Sequence, residues 1–208
     1  MWQLDTSQNA QFPFVGSVLA LDLVNTDILL RGKRHDFIIS PDEAEHWWRE
    51  VNLHYSTRTQ VIGEAETTRW NTKLLNALKR LRLALRGLFL CLIEQRSIDA
   101  HDLAELNHVL ALGYHALNVD ASDTLMAVYE TTEPESGAVL LPIALSALHL
   151  ITDMERDRLH ECGNERCIGL FYDTTRSATR HWCSAECMNR ARSLQHYRKL
   201  KAEKAIST

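Results

Sequence analysis

Four of the five cysteines fall within 26 consecutive residues near the C-terminus, as Cys162-Gly-Asn-Glu-Arg-Cys167 and Cys183-Ser-Ala-Glu-Cys187. The pairs are spaced C-x4-C and C-x3-C, with 15 residues between them. Four thiolates at tetrahedral corners are one of the usual structural zinc sites, and close pairs keep the entropy of closing such a site small. Cys162, Cys167, Cys183 and Cys187 are therefore candidate ligands for Zn2+. Two disulfides or buried free thiols are the alternatives. The start of the chain, Met1-Trp-Gln-Leu-Asp5, shows no basic n-region and no long apolar run, so a reducing cytoplasm is expected and disulfides are disfavoured. Four thiolates leave the metal no open position for water, so the expected role is structural, not catalytic.

Positioning four sulfurs needs two local devices. The first pair suits a tight knuckle marked by Gly163 and Asn164, and the second suits the first turn of a helix beginning near Ser184, where i and i+4 share a face. A helix N-terminus also favours thiolate over thiol. Ile168, Leu170, Phe171 and Trp182 supply the apolar residues that so small a module needs beside its metal. Knuckle, short hairpin and helix together make a treble-clef-like finger. Arg176, Arg180 and His181 lie between the cysteine pairs, and Arg190, Arg192, Arg198, Lys199, Lys201 and Lys204 lie beyond them. On a helix pinned by zinc, such residues are candidates to contact nucleic-acid phosphates and enter a groove. Arg190, Leu194, Tyr197, Lys201 and Lys204 share one helical face.

At these residues the chain resembles the CGNR zinc finger of bacterial transcription regulators. The matching segments are Leu170-Phe-Tyr-Asp-Thr-Thr-Arg176, Thr179-Arg-His-Trp-Cys183 and Cys187-Met-Asn-Arg190. Thr175 and Thr179 stand for Ser, His181 for Arg, and Met188 for the glycine of the motif's name. A glycine inside a helix has no special geometric role there, so Met188 leaves the zinc site intact. His181 removes one permanent positive charge. A second resemblance lies at Leu21, Asp22, Asn25 and Thr26, which match the L-D-x-x-N-T opening of the ABATE domain that precedes this finger. Together the two imply an ABATE-like helical domain at 1–155, a CGNR-type finger at 156–208, and a regulator function.

Charge divides the chain at the same place. Residues 156–208 carry 11 Lys and Arg against 6 Asp and Glu, a net of +5, whereas 1–155 carry 12 against 21, a net of −9. An acidic body with a basic end implies that the end meets a polyanion. With 208 residues and 45% apolar content the chain suits one domain plus a small module. No uninterrupted apolar stretch has the length of a membrane span.

The body reads as mainly α with a small β-hairpin, an α+β class. Gly16 to Thr26 predicts a short buried helix, with a strand as the alternative for so short a run. Its polar Asp22, Asn25 and Thr26 share one face and either bond neighbouring backbone or line a small-molecule pocket. Phe37 to Ile39 suggests a short strand. Ser40-Pro-Asp-Glu43 signals a helix start, with Trp47 and Trp48 as core anchors. A long helix is expected from about Glu66 to Gln95, with Trp70, Leu74, Leu78, Leu81, Leu85, Leu88 and Leu92 as its apolar stripe. Its Gly87 permits close packing and its Cys91 reads as a buried thiol. Its basic residues read as a solvated face paired with acids, with a second nucleic-acid surface as the alternative. A helix begins near Ser97, and Tyr114–Val119 with Leu125–Thr131 form a hairpin. Pro134 to Gly137 read as a break, and a helix from Ala138 to about Leu159 runs rigidly into the finger.

No glycine-rich phosphate loop, H-E-x-x-H helix or G-x-S-x-G elbow is present, so no enzyme is expected. Ten histidines are scattered without a convincing ligand spacing, and His160 is not needed where four cysteines suffice. The expected function is a cytoplasmic DNA-binding transcription regulator whose body senses a small-molecule effector or forms a homodimer. The alternatives are a protein-interaction module with purely structural zinc, and RNA binding.

Overall fold

The computed structural model describes residues 12–30, 32–55, 68–119 and 122–206, with side chains followed to Glu203. Of residues 1–13, expected to be extended or loose, 1–11 lie outside the described residues, as do most of the polar connection at 53–66 with Gly63 and the expected long-helix start at Glu66, whereas Phe12 is buried in the core.

The central element is α1 (Leu19–Val24), six residues long and buried at every position. It lies against the long helix α3 (Thr72–Ile93) and the apolar helix α5 (Pro134–Thr152). Helices α2 (Pro41–Tyr55) and α4 (Ala100–Leu110) complete the body by packing on α3. Beyond the body, helix α6 (Ala185–Ile206) closes the chain. Among the described residues three two-stranded antiparallel hairpins accompany the helices: β1 (Asp27–Leu30) with β2 (Lys33–Asp36), β3 (Gly113–Val119) with β4 (Leu125–Thr131), and β5 (Leu159–Glu161) with β6 (Leu170–Tyr172). The architecture is mainly α with small antiparallel hairpins.

The expected capping of α2 is present in full. Ser40 Oγ accepts from the Glu43 amide at 3.3 Å, and Glu43 Oε2 accepts from the Ser40 amide at 2.9 Å, closing a reciprocal capping box. Trp47 and Trp48 are both core residues, each 1% exposed. The stripe of α3 is buried from Leu74 through Leu88, while Leu92 packs at the margin of the core. Trp70 precedes the helix, because Asn71 caps it: its side chain accepts from the Leu74 amide at 3.0 Å. A Cβ at Gly87 would run into the Asp102 carboxylate, so glycine lets α3 and α4 approach closely there. Cys91 is buried.

Four expectations are corrected. Phe37 to Ile39 is not a strand; the strand pair lies earlier, where Lys33-Arg-His-Asp36 pairs with Asp27–Leu30. Charged side chains hid β2 from any apolar pattern because its side chains are largely exposed. Pro134 does not break a helix but begins one, since a proline in the first turn lacks only an amide that would have no helical partner. The same helix stops at Thr152, well short of Leu159, and a 3-10 turn at Arg156–Arg158 leads into β5. The basic residues of α3 pair with acids as expected, Arg80 with Glu105 and Lys79 and Arg82 with Asp36, but Arg82 is buried and not on a solvated face. Arg82, 4% exposed, holds both oxygens of Asp36 at 2.6 and 2.7 Å and reaches Thr26 Oγ1 at 2.9 Å.

Over 19 residues α5 is apolar enough, by length and composition, to cross a membrane. Its Val139, Leu140, Ile143, Ala144, Ala147 and Leu150 are instead buried in the body's core, the position of an ordinary core helix.

Candidate metal centre

The knuckle is built by backbone bonds that its residue types permit. The Cys162 amide donates to Gly169 O at 2.9 Å, the Gly163 amide to His181 O at 2.8 Å, and the Cys167 amide to Asn164 O at 2.8 Å. A side chain at Gly163 would begin 2.9 Å from His181 O, which accounts for the glycine. Asn164 is buried, and its amide donates to Cys187 O at 3.2 Å, tying the knuckle to the first turn of α6. Ser184 caps α6, accepting from the Cys187 amide at 3.2 Å. The second cysteine pair therefore brackets a helix start, as expected.

These devices bring the four sulfurs within 4.8 Å of one another. Cys167 and Cys183 are 3.8 Å apart, and Cys183 and Cys187 are 3.5 Å apart. Sulfurs bound to zinc at ~2.3 Å lie about 3.8 Å apart along a tetrahedral edge. The same separations are far longer than a disulfide bond of about 2.05 Å, and all four cysteines are free. Backbone amides point at the sulfurs: Gly169 donates to Cys167 Sγ at 3.3 Å and Cys183 to Cys162 Sγ at 3.5 Å.

Electrostatics supports a cation here. Hydrogen bonds with Cys167 and Cys183 draw the Cys162 thiol down to about 7. Hydrogen bonds with the other three cysteines, and then the Arg190 charge, draw Cys187 down as well. Cys183 and Cys167 are pushed up, chiefly because their neighbours hold the negative charge first. Four thiols this close cannot all ionise unaided, and a divalent ion resolves that conflict. A donor set of sulfur alone, tetrahedral and without an oxygen ligand, fits zinc, and Zn2+ is the cofactor of this finger. His160 stands outside the cluster, its ring packed on Phe171 at 5.6 Å.

Around the sulfurs lies a small core of Phe171, Trp182 and Val15. Alternation along β6 makes it a shared wall: Phe171 faces this small core, while Leu170 and Tyr172 enter the main core of the body together with Leu159 of β5. The loop after β6 is fixed by buried Asp173, whose carboxylate accepts from the Thr175 amide and the Arg180 amide, each at 2.8 Å. A hydrogen bond from the Thr175 side chain first, and then the amide bonds of Arg180 and Thr175, hold its pKa at about 2.

The candidate nucleic-acid residues do not form one set. The guanidinium of Arg180 donates to the carbonyls of Trp182 and Cys183 and lies 4.6 Å over the Phe171 ring, so it braces the finger from inside. Arg198 is held by both oxygens of Glu165, at 2.7 and 2.6 Å. Arg190 donates to Glu186 O at 3.2 Å and stands 3.8 Å from Cys187 Sγ. Arg192 lies 5.9 Å over Trp182, and the exposed His181 ring packs edge-on against the same indole at 5.7 Å. Arg176, Lys199 and Lys201 are exposed, without a partner among the described residues. Lys204 belongs to α6, beyond the last described side chain. Three further residues escaped the sequence reading: Arg166, Asn189 and Ser193, which line a groove of about 470 Å³ between the knuckle and α6. Arg166 is part of the C-x4-C loop itself, which was the available signal.

Asp22, Asn25 and Thr26 are buried, and their polar atoms are taken up by neighbouring groups. Asp22 accepts from the Gly16 amide at 2.8 Å and the Tyr55 hydroxyl at 2.5 Å, and burial pushes its pKa up to about 7. Thr26 donates to Leu23 O at 2.7 Å and accepts from Arg82. Asn25, fully buried, donates to Leu170 O at 2.7 Å and accepts from the Leu170 amide at 2.9 Å, so it stitches α1 to β6. Arg86 adds a bond to Ile168 O at 2.7 Å, and the Tyr172 amide donates to Gly16 O at 3.0 Å. The body's cleft lies elsewhere, about 580 Å³ between α3, α4 and the start of α5, with Arg69, Lys73, Glu105 and His108 on its walls.

Two family models match the chain. One, ABATE, described as "Putative stress-induced transcription regulator", matches residues 17–154, and the CGNR zinc finger matches residues 158–199. No curated protein matches.

Proposed function

The chain belongs to the ABATE family and ends in a CGNR zinc finger, and from that premise we propose that it is a cytoplasmic DNA-binding regulator whose finger makes the contact. Both families are of regulator and zinc-finger type, not enzyme families. In this reading residues 1–155 form the sensing or dimerising part and 156–208 the DNA-binding part. Cys162, Cys167, Cys183 and Cys187 hold the metal, whose chemistry when bound is structural: it fixes the knuckle against α6. The observation that carries the reading is the exposed basic surface of that pinned helix, with Lys199 and Lys201, and Arg176 in the preceding loop, beside a body of net charge −9. Phosphate contacts by such residues supply sequence-independent affinity that falls steeply with salt.

The body's cleft has the size of a small-molecule site, which supports an effector there. A homodimer is supported by the outer face of the β3–β4 hairpin, where Leu117, Val119 and Leu125 are 75%, 50% and 68% exposed. A protein-interaction role has its own observation in Tyr197 and Leu200, exposed on α6 by 64% and 44%.

Fluorescence anisotropy of labelled duplex DNA with the zinc-loaded protein, at rising salt and after chelation, tests the proposal. Binding that weakens with salt and vanishes with the metal is the expected result. Preference for single-stranded RNA would move the reading to RNA, and no binding even at low salt would leave zinc as a staple for a protein-binding helix.

A further inference from the structure

The groove between the knuckle and α6 has a wall chemistry that the position of the basic helix does not by itself require. Asn164, Arg166, Asn189, Arg190, Ser193 and Leu194 line it. No carboxylate is among them. Asn164 is spent on the Cys187 carbonyl and the Arg166 amide. Asn189 and Ser193, both exposed, are i and i+4 on α6 and so share a face, and neither has a partner among the described residues. The groove thus presents the Arg166 guanidinium, the donors Arg190 keeps beyond its contacts with Glu186 O and Cys187 Sγ, an amide and a hydroxyl, a set of donors suited to an anion.

Its continuation along α6 identifies what kind of anion. Arg190 and Arg198 are eight residues apart, about 12 Å along the helix axis at ~1.5 Å per residue. That span is longer than one phosphate and covers about two to three successive phosphates of a DNA strand, which wind about the axis and so lie further apart than their ~3.4 Å axial rise. A free phosphate or a mononucleotide would reach one end only. At the far end the free protein already holds an anion of its own: Glu165, next to Arg166, grips Arg198 with both oxygens while both side chains stay about 60% exposed. Exposed pairs of this kind are weak and exchange readily.

We propose that this groove seats the phosphodiester backbone of DNA, with Arg166, Asn189 and Ser193 as contact residues, and that Glu165 is a built-in competitor that phosphate displaces from Arg198. The proposal rests on the DNA-binding reading given above and names its contact surface. Glu165 also sets a threshold: a ligand too short to span the groove does not displace it, so short anions are excluded in favour of a polymer.

The test compares zinc-loaded wild type, Arg166→Ala, Ser193→Ala and Glu165→Gln for binding to a labelled DNA duplex across a salt series, with zinc stoichiometry measured for each. Arg166→Ala is expected to weaken binding about tenfold and to lower the slope of log K against log salt by about one, as loss of one phosphate contact requires. Glu165→Gln is expected to tighten binding several-fold, which a merely structural ion pair would not do. Zinc content should remain one per chain throughout. Inorganic phosphate at equal phosphate concentration should not displace the duplex. If wild type binds DNA but Arg166→Ala and Glu165→Gln leave affinity and slope unchanged, the groove is refuted while the DNA-binding reading stands. Displacement by inorganic phosphate would refute a polymer site, and absence of binding by wild type at low salt would overturn both proposals.

Discussion

Replacing Asn25 by alanine should damage the whole protein, although the residue touches neither the metal nor the surface. Its amide satisfies both the N–H and the C=O of Leu170 at 2.9 and 2.7 Å, and both residues are fully buried. Truncation leaves two backbone groups without partners and beyond the reach of water. Each orphaned buried group costs about 1–3 kcal/mol, so the loss should be about 2–6 kcal/mol. That is a large share of the about 5–15 kcal/mol that holds a domain of this size together. Asn25→Leu fills the volume and excludes a substitute water, so its loss should be at least as large. Asn25→Asp keeps the acceptor for the Leu170 amide but loses the donor and buries a charge. Its deficit should grow as pH rises through the carboxylate range. Equilibrium urea unfolding of zinc-loaded protein, followed by far-UV circular dichroism and by a zinc-indicator dye, reads both halves of the molecule. The midpoint of both signals should shift together. An Asn25→Ala variant within about 0.5 kcal/mol of wild type, the range of an ordinary surface change, would refute the reasoning.

Cys183→Ser should lose zinc and unfold the finger; full zinc occupancy in that variant would count against the four-cysteine site. Arg180→Ala should speed zinc loss to a chelator, because its guanidinium braces the carbonyls of Trp182 and Cys183, whereas Arg176→Ala should leave the rate unchanged. Asp22 should make stability pH-dependent: its folded pKa of about 7 exceeds the unfolded 3.8, so the folded state binds the extra proton. Its contribution is then full below the unfolded value and is lost as pH rises toward 7, and urea midpoints of Asp22→Asn should lack that decline. Leu85→Ala in α3 should cost about 2–5 kcal/mol by leaving a cavity at a fully buried position, measured by the same unfolding experiment.

The sequence was most legible where chemistry is local. Ser40 and Glu43 announce their capping box within four positions, the leucines of α3 repeat at helical steps, and the cysteine spacing dictates a knuckle and a helix start. It was least legible where a residue's role is set by something distant. Pro134 has the same chemistry whether it ends or begins a helix, and only the partner of its neighbours decides. Lys33-Arg-His-Asp36 is a strand because β1 lies beside it, not because its own pattern says so. Arg180 looked like its exposed neighbour Arg176, yet Phe171 and three carbonyls, one of them from Val15, claim its guanidinium. Asn25 was recognisable as a polar exception on an apolar helix. Its partner, 145 residues away, was not.

The wall formed by β6 has a consequence for the order in which the protein can be made. Leu159, Leu170 and Tyr172 complete the core of the helical part, yet they are translated after every helix that surrounds them. Until the last quarter of the chain leaves the ribosome, α1 has no strand beside it and Asn25 faces an empty place. The nascent body is then expected to stay unfinished until β5 and β6 arrive, and metal binding that orders the finger should help complete it. A cell short of zinc would accumulate chains open to proteases along their full length, so the abundance of the protein, and not only its capacity to bind a partner, would follow the supply of the metal. Pulse proteolysis of chains made with and without zinc would show this as cleavage in the body as well as in the finger.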